Sequence, residues 1–436
     1  MNNLSAAPLS REAPRSREAA LSREAALADG TTLARDATLA GDADSALPRA
    51  LPAWVYSHPE LTKLELDRIL RPSWQIVCHL NSIPKTGDYE TFDLGPESIV
   101  VLRDRDGSIR AFHNVCRHRG SRLLDGAGNC PATITCPYHG WTYRHDGGLI
   151  GMPVRESFPG LNRELHALRP VRTDIAFGFI FVCLAPDAEG AVPQPVSTMW
   201  GKLGEELAAY RCEKMVPLAP ISTEVWNVDW KIAMDNYLES YHVPIGHPGL
   251  YRMFSPDYED QARVPGVARG LSWLREKRSS RWSEGLYQSL VGRAAQHLPD
   301  DQRRCWRFYS ALPNLGIDVF PDQMDFFQVL PAGPGKCIIR GAVFGLPGAS
   351  RELRAVRYLS NRINTSVNQE DQWLCERVQR GLASSSYRPG PLSRLESCML
   401  EFHDLLRARI PEFRLPNAPQ HFNQTAPSSL DSPSPN

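Results

Sequence analysis

Two short segments rich in Cys and His contain residue types that can hold a redox metal. The first segment contains Cys116 and His118, and the second, after seventeen intervening residues, contains Cys136 and His139. Two thiolates and two imidazoles in this order suit a [2Fe–2S] cluster in which Cys binds one iron and His binds the other. Neutral imidazoles reduce the negative charge of the cluster and raise its reduction potential. The spacing therefore predicts a site that accepts and passes single electrons.

A structural zinc site is the alternative for these four residues, because Zn²⁺ also accepts Cys and His. Zinc modules usually pair Cys with Cys across roughly two to four residues, and His with His across roughly three to five. Here each pair joins one Cys to one His. Pro137, Gly120 and Gly140 lie beside the ligands, where the backbone must turn its amides toward sulfur. The pattern favours the iron–sulfur cluster, which is of the Rieske type.

A second group of metal-binding residue types surrounds His242 and His247. Asp235, Glu239 and His242 are separated by four and three residues, so a continuous helix would carry them on one face. The Pro and the Gly between the two His are expected to end that helix. His247 is then expected to turn back toward His242, instead of pointing about 140° away as it would on an uninterrupted helix.

Two imidazoles with one carboxylate form the ligand triad of non-haem Fe(II) oxygenases, which leaves positions open for O₂ and substrate. The candidate carboxylate is Asp371, which precedes Leu374, Cys375 and Val378 at helical spacing and so falls on an apolar stripe. A carboxylate that points inward must be paired or bind metal. Glu370 is the rival ligand. The alternative is that both His are ordinary and that Asp371 caps a helix.

Length and composition suggest a two-domain globular protein. Lys plus Arg equals Asp plus Glu, 49 against 49 among 436 residues, so no global charge favours nucleic acid or a membrane. Ten Cys are too few for a disulfide scaffold, and neither a secretory leader nor a membrane-spanning apolar run is evident. These features predict a cytoplasmic chain. Without a dinucleotide or phosphate-loop fingerprint, any flavin or nicotinamide is expected on a partner.

The chain divides into four predicted parts. Residues 1–48 repeat a short Leu-Ser-Arg-Glu-Ala unit with few large apolar residues, which predicts a disordered tail, as do the Ser and Pro of 423–436. Residues 49–190 begin with a helix over 59–70 and continue as a small antiparallel β domain with the ligand loops at hairpin tips. Residues 191–422 mix strands and helices, including strands at 326–330 and 337–340, and form the predicted catalytic iron domain.

Some apolar positions are expected to face the cores of these domains. Buried strands are predicted at 98–102, 108–112 and 177–182, with a hairpin over 143–150. A helix near the C-terminus is expected to turn four side chains toward a core, and these are Leu395, Met399, Phe402 and Leu406.

The two sites together resemble those of the Rieske non-haem iron oxygenases, also called aromatic-ring-hydroxylating oxygenases, over roughly residues 50–415. The pattern of the family for its cluster falls on Cys116, His118, Cys136 and His139. Its acidic-x-x-His-x4-His pattern falls on Glu239, His242 and His247, and its distant Asp, in an acidic pair that opens a helix, matches Asp371.

The resemblance implies an α+β protein, with an N-terminal Rieske antiparallel β domain and a C-terminal helix-grip catalytic domain. It also implies a homotrimer, in which the cluster of one subunit serves the mononuclear iron of its neighbour. Glu239 would then bridge His242 to the neighbouring copy of His139 by hydrogen bonds, with Asp235 a further catalytic candidate. Glu239 replaces the Asp that most ring dioxygenases carry. This Glu, the Tyr before His242, and segments 378–382 and 390–393 are similar to the carnitine monooxygenase and glycine betaine and stachydrine demethylase branch.

Three functions remain open at the level of the sequence. The first is a terminal oxygenase that takes electrons from an NAD(P)H-dependent reductase or ferredoxin and uses O₂ to remove an N-methyl group or cleave a C–N bond. Nearby aromatic side chains would hold the cation by cation–π attraction, and these are Trp230, Tyr237, Tyr241, Phe326 and Phe327. The second is hydroxylation of an aromatic ring or aromatic acid, with Arg replacing the aromatic side chains. The third is a plain Rieske electron carrier.

Overall fold

The computed structural model describes residues 47–185, 193–256 and 259–422, with side chains throughout except at 259–263. The predicted tails, apart from residues 47 and 48, lie outside these ranges. All the elements below belong to one compact unit that begins at Pro48.

The first part of the described chain is a β domain of short antiparallel strands, as predicted. It is preceded by helix α1 (Leu61–Glu65), which continues as a wider turn through Leu70. The strands of this domain are β1 (Gln75–His79), β2 (Asp88–Leu94), β3 (Glu97–Arg103), β4 (Ile109–His113), β5 (Ala127–Asn129), β6 (Ile134–Thr135), β7 (Thr142–Tyr143), β8 (Leu149–Gly151), β9 (Arg172–Ala176) and β10 (Phe179–Cys183). Among the described residues they form sheets in the orders β1-β10-β9, β4-β3-β2-β5 and β6-β7-β8.

Both ligand loops project from these sheets. Residues 136–139 lie at the tip of the hairpin between β6 and β7, which confirms the predicted position. Residues 116–118 follow β4 and lie in a loop that an isolated bridge between Val115 and Arg122 closes. The loops themselves carry no regular structure, so the sheets must fix where they begin and end.

The second part of the chain is built on one large antiparallel sheet. Its strands are β11 (Val216–Pro217), β12 (Ser222–Trp226), β13 (Glu259–Val264), β14 (Val267–Trp273), β15 (Cys305–Ala311), β16 (Leu315–Val319), β17 (Met324–Pro331) and β18 (Cys337–Gly345). Their order is β11-β18-β17-β16-β15-β14-β13, and β12 also pairs with β18. The predicted strands at 326–330 and 337–340 are therefore neighbours in this sheet.

Helices cover this sheet and deliver the candidate iron ligands. They are α2 (Val196–Trp200), α3 (Lys202–Glu206), α4 (Trp230–Tyr237), α5 (Val243–Gly246), α6 (Pro248–Met253), α7 (Trp282–Ala294), α8 (Arg351–Leu382) and α9 (Ser397–Arg409). Helix α4 packs on β17, and α8 packs against α4, α5, α6 and α7. None of the described helices, including the 32-residue α8, has an apolar stretch long enough to cross a membrane.

A buried ion cluster joins helix α1 to the start of α4. The Nζ atom of Lys231 lies 2.5 Å from Oε1 of Glu65 and 2.7 Å from Oδ1 of Asp229, and Lys231 is fully buried. Asp229 also accepts a hydrogen bond from the backbone N–H of Lys231 and so caps α4. Nε1 of Trp230 donates to Glu65 at 2.8 Å. Removing one partner of such a cluster leaves buried charge uncompensated, so the start of α4 is tightly fixed.

The structure corrects one predicted helix face. Met399, Phe402 and Leu406 are buried as predicted, but Leu395 is 52% exposed. Ser393 and the following residues form a capping box with a tight 3₁₀ turn, and α9 begins only after it. Leu395 therefore does not share the helical phase of the other three residues.

Candidate functional site

The two Cys–His loops fold in the same way. The backbone N–H of Gly120 donates to the carbonyl of Cys116 at 3.1 Å, and that of Gly140 donates to the carbonyl of Cys136 at the same distance. Both glycines have positive φ angles, +72° and +69°, which a residue with a Cβ adopts only at a cost. The shared turn places the two thiols at equivalent positions, and the imidazole follows two residues after Cys116 but three residues after Cys136.

The four side chains lie together and suit a [2Fe–2S] cluster. Cys116 and Cys136 are 2% and 3% exposed, and the ring centroids of His118 and His139 are 4.8 Å apart. Nδ1 of His139 is buried and has no hydrogen-bond partner among the described residues. Trp141 stacks on His118 at 4.9 Å with nearly parallel rings. A buried imidazole nitrogen without a partner indicates a missing ligand, and an iron atom would satisfy it.

Hydrogen bonds tune the two sulfur atoms. The hydroxyl of Tyr143 lies 3.3 Å from Sγ of Cys116 and accepts the backbone N–H of Arg117 at 3.0 Å, so its own proton is free for the sulfur. Burial opposes ionisation of Cys136, but the backbone N–H groups of Tyr138 and His139 hold the pKa of its thiol below the ordinary value. Both arrangements favour negative charge on sulfur, which a metal cluster requires.

The backbone of the second site differs from its predicted form. Helix α4 ends at Tyr237, so Asp235 and Glu239 do not share a continuous helical face with His242, and that prediction was wrong. Pro244 does not end this helix, as was predicted, but lies in the first turn of the short helix α5. The resulting double turn, residues 238–247, brings His247 back to His242, with their Nε2 atoms 3.1 Å apart. The predicted return of His247 is therefore confirmed.

Asp371 completes a group of three potential metal ligands. Its Oδ1 lies 2.9 Å from Nε2 of His247 and 3.6 Å from Nε2 of His242. It lies twenty residues inside α8, so the expectation that it opens or caps a helix was wrong. Its predicted apolar stripe is only partly correct, because Cys375 is buried but Val378 is 50% exposed.

A second carboxylate lies behind each His of this group. Oε1 of Glu239 is 2.5 Å from Nδ1 of His242, and Oε2 of Glu370 is 2.8 Å from Nδ1 of His247. A carboxylate only accepts hydrogen bonds, so each Nδ1 holds a proton and each Nε2 points forward, where a bound metal would displace any proton it carries. Glu370, considered above as a rival ligand, therefore orients His247 while Asp371 faces the centre.

The charge distribution of this group fits a cation. Two Nε2 lone pairs and one carboxylate oxygen converge on one point, and Oδ1 of Asp371 has no hydrogen bond among the described residues. Burial lowers the pKa of His242, but Asp371 and Glu239 outweigh it and raise that pKa to about 9. The point of convergence thus strongly attracts positive charge. A divalent iron with three protein ligands and open positions satisfies all three donors.

Asp235 lies apart from these donors. Its carboxylate accepts hydrogen bonds from the hydroxyl of Tyr56 at 2.8 Å and from Nε2 of His403 at 2.9 Å. It therefore links α4 to the N-terminal segment and to α9. Its catalytic role stays a prediction without a contact to the candidate ligands.

The candidate iron site opens into a cavity of about 920 Å³. Tyr237, Phe326 and Phe327 contribute to its lining as predicted. Trp230, however, is buried in the core, and Tyr241 is 60% exposed outside the lining. None of the described residues that line the cavity is Lys or Arg. The cavity is consequently aromatic and acidic.

Two acidic residues of this cavity were not predicted from the sequence. Neither was Tyr143, which contacts the cluster ligand Cys116. Asp318 and Asp325 line the cavity from adjacent strands. Each lies between apolar residues of its strand, and that position was the available signal, because a carboxylate there requires a partner. Tyr143 had no signal, since a Tyr in a β-strand is ordinary.

A cluster-binding β domain followed by a two-His, one-carboxylate site defines the class of Rieske non-haem iron oxygenases. Two family matches follow this division. Residues 73–166 match the Rieske [2Fe-2S] domain, and residues 210–412 match the ring hydroxylating alpha subunit (catalytic domain).

Individual relatives agree with these matches. The chain is 30% identical to the glycine betaine monooxygenase oxygenase subunit of Chromohalobacter salexigens, over 81% of this chain and 84% of that protein. It is 31% identical to the chloroplastic choline monooxygenase of Arabidopsis thaliana, over 81% of each. A solved quaternary ammonium Rieske monooxygenase has a similar fold, with a TM-score of 0.71 at 24% identity, covering 83% of this chain and 96% of the other.

The chain therefore belongs to the Rieske-type ring-hydroxylating oxygenases, as an oxygenase component. It is an oxidoreductase that uses a Rieske cluster, a mononuclear iron and O₂. The predicted fold class is confirmed, and the electron-carrier alternative no longer applies.

Replacing Tyr143 by Phe is expected to lower the reduction potential of the cluster. The hydroxyl donates to Sγ of Cys116 and stabilises the more negative, reduced state. A hydrogen bond worth about 1 kcal/mol corresponds to a fall of roughly 40 mV for one electron. Redox titration followed by electron paramagnetic resonance measures it. Tyr89→Phe, in the same domain, is the control and should leave the potential unchanged; an equal shift in both variants would refute the assignment.

Replacing Glu370 by Gln is expected to weaken Fe²⁺ binding at the mononuclear site about 10- to 100-fold. The amide no longer fixes the proton on Nδ1 of His247, so Nε2 is a poorer ligand. Calorimetric titration with Fe²⁺ measures the affinity. Glu376→Gln, further along the same helix, should change it less than about twofold. Equal affinities in the two variants would show that Glu370 does not orient His247.

Proposed function

We propose that this chain is the terminal oxygenase of a multicomponent system that oxidises a quaternary ammonium or N-methyl compound. Electrons come from a separate NAD(P)H-dependent reductase, because the sequence has no nucleotide-binding fingerprint of its own. The observation that carries the choice of substrate is the aromatic cavity without a lining Lys or Arg among the described residues. The names of the relatives support the same choice.

The residues divide the work between two metal sites. Cys116 and Cys136 with their partner His residues would hold the cluster, and the three convergent donors would hold Fe(II). When bound, the cluster supplies single electrons and the iron activates O₂ for insertion into a C–H bond. Glu239 and Glu370 keep the Nδ1 protons in place and the Nε2 lone pairs forward. Hydroxylation of an N-methyl carbon is followed by C–N cleavage and release of formaldehyde.

The cavity positions such a substrate. Tyr237 and Phe327 lie edge to face with their ring centroids 4.3 Å apart, and both line the cavity. Aromatic faces attract a quaternary ammonium group electrostatically. An aromatic acid would instead need a basic side chain, which the described lining lacks. Oxidation of an aromatic ring or aromatic acid is therefore the less supported alternative.

The domain boundaries and the assembly are further parts of the proposal. The cluster domain spans residues 49–190 and the catalytic domain residues 191–422, and the family matches fall inside these limits. The active form is a homotrimer in which Glu239 connects His242 to His139 of a neighbouring subunit. Exposed apolar side chains beside both sites support such contacts: Tyr138 is 57% exposed and Ile245 is 89% exposed.

The reaction is tested with the reconstituted enzyme, a reductase, NADH and matched panels of N-methylammonium compounds and aromatic acids. We expect NADH consumption and an aldehyde product, including formaldehyde where a methyl group is lost, only with the first panel. Ring hydroxylation of an aromatic acid without aldehyde formation would refute the proposal. His247→Ala is the control: it should retain the visible spectrum of the cluster, lower the iron content from about three to about two per subunit, and abolish turnover.

The assembly is tested by mixing two inactive subunits. Cys136→Ser lacks the cluster and His247→Ala lacks the mononuclear iron, so neither supports turnover alone. In co-expressed mixed trimers, electrons that cross between subunits should restore about one quarter of wild-type activity at equal mixing. Half of the subunits keep the mononuclear iron, and half of those have a neighbour that keeps its cluster. No recovery, in mixtures shown to be trimers by sedimentation, would mean that electrons stay within one subunit.

A further inference from the structure

The cavity contains a pair of carboxylates that face each other across two strands. Asp318 on β16 and Asp325 on β17 are direct partners in the antiparallel register. Both are half-buried and both line the cavity that contains His242, His247 and Asp371. Like charges at directly opposite positions destabilise a sheet, so the pair has a structural cost.

No cation in the described structure offsets this pair. The hydroxyl of Tyr237 donates to Oδ1 of Asp318 at 2.6 Å, and the carboxylate of Asp325 makes no hydrogen bond or ion pair with any described residue. Burial raises the pKa of Asp318 to about 7, and burial together with the charges of Asp318 and Asp322 raises that of Asp325. Without a cation beside it, the pair therefore tends to retain a proton, which a cationic group bound in the cavity would displace.

Aromatic side chains flank the same centre. Phe308 on β15 is the register partner of Asp318, and Phe327 lies two residues beyond Asp325, on the same face of the sheet. The ring of Phe327 covers Gly316, where a Cβ would approach within 2.2 Å of it. A carboxylate attracts an ammonium group by Coulombic interaction, and the neighbouring aromatic faces attract it by cation–π interaction.

The same cavity is unsuited to a carboxylate. Among its described lining residues are further acids, and none is Lys or Arg. Glycine betaine carries a carboxylate close to its trimethylammonium group, whereas choline carries a neutral hydroxyl. A zwitterion held at Asp318 and Asp325 would place its own carboxylate in a cavity of the same sign, and like-charge contact lowers affinity.

We propose that the cavity selects a cationic N-methylammonium substrate that bears no carboxylate, with Asp318 and Asp325 as its counter-ion. This inference rests on the proposed function and narrows it. The pair acts on affinity and orientation, so its loss affects KM more than kcat. It also discriminates charge, so a neutral molecule of the same shape binds poorly.

The first test uses the wild-type holoenzyme with its reductase and three probes: choline, glycine betaine and 3,3-dimethylbutan-1-ol, the uncharged carbon analogue of choline. We expect kcat/KM for choline to exceed that for each of the others at least about tenfold. A preference for glycine betaine, or equal values for choline and its neutral analogue, would overturn the inference and leave the proposed function intact. Failure of all N-methylammonium compounds together would instead overturn the proposed function.

The second test measures the pair itself. Asp318→Asn and Asp325→Asn keep the shape of the side chain and remove the charge, and each should lower the thermal stabilisation that choline gives the protein. Each should also raise KM for choline about tenfold with a smaller change in kcat. Asp404→Asn, which removes an exposed charge on α9, should change neither quantity. Undiminished stabilisation by choline in both cavity variants would overturn the inference without any measurement of turnover.

Discussion

Three electron-pair donors that converge on one point repel one another unless a proton or a metal ion lies between them. Nε2 of His242, Nε2 of His247 and Oδ1 of Asp371 occupy this arrangement, and much of the catalytic domain serves to impose it. Glu239 and Glu370 fix which nitrogen of each ring carries the proton. The double turn after α4 returns one ring to the other. The fold thus tolerates a local repulsion that a proton or a bound metal relieves.

The rigidity that this arrangement requires begins far from it in the sequence. The buried Lys231 cluster holds the start of α4 against α1, and Asp235 ties the same helix to Tyr56 and His403. The helix is only eight residues long, so both of its ends are constrained. The double turn that carries Glu239 and His242 therefore starts from a helix end that is held in place and does not fray.

The sequence predicted the metal-binding residues more accurately than it predicted where the helices begin and end. Cys116, His118, Cys136 and His139 were recognisable because ligand type and spacing are local properties, and the strands around them follow a simple alternation. The break after Tyr237 and the central position of Asp371 in α8 were not predicted, because tertiary packing decides where a helix ends. The roles of Asp318 and Asp325 depend on strand register, which joins residues that no sequence pattern connects.

Glu370 and Asp371 are consecutive residues of α8, so they project about 100° apart from one helical turn. Glu370 contacts Nδ1 of His247, and Asp371 faces Nε2 of the same ring. A single helix therefore sets both the protonation and the coordination of that ring, with its register fixed by the buried Val356, Leu359 and Ile363 upstream. The number of residues between these three and Glu370 is therefore critical. One inserted residue would move Glu370 to the place of Asp371, put Gln369 in the place of Glu370 and turn Asp371 away from the site.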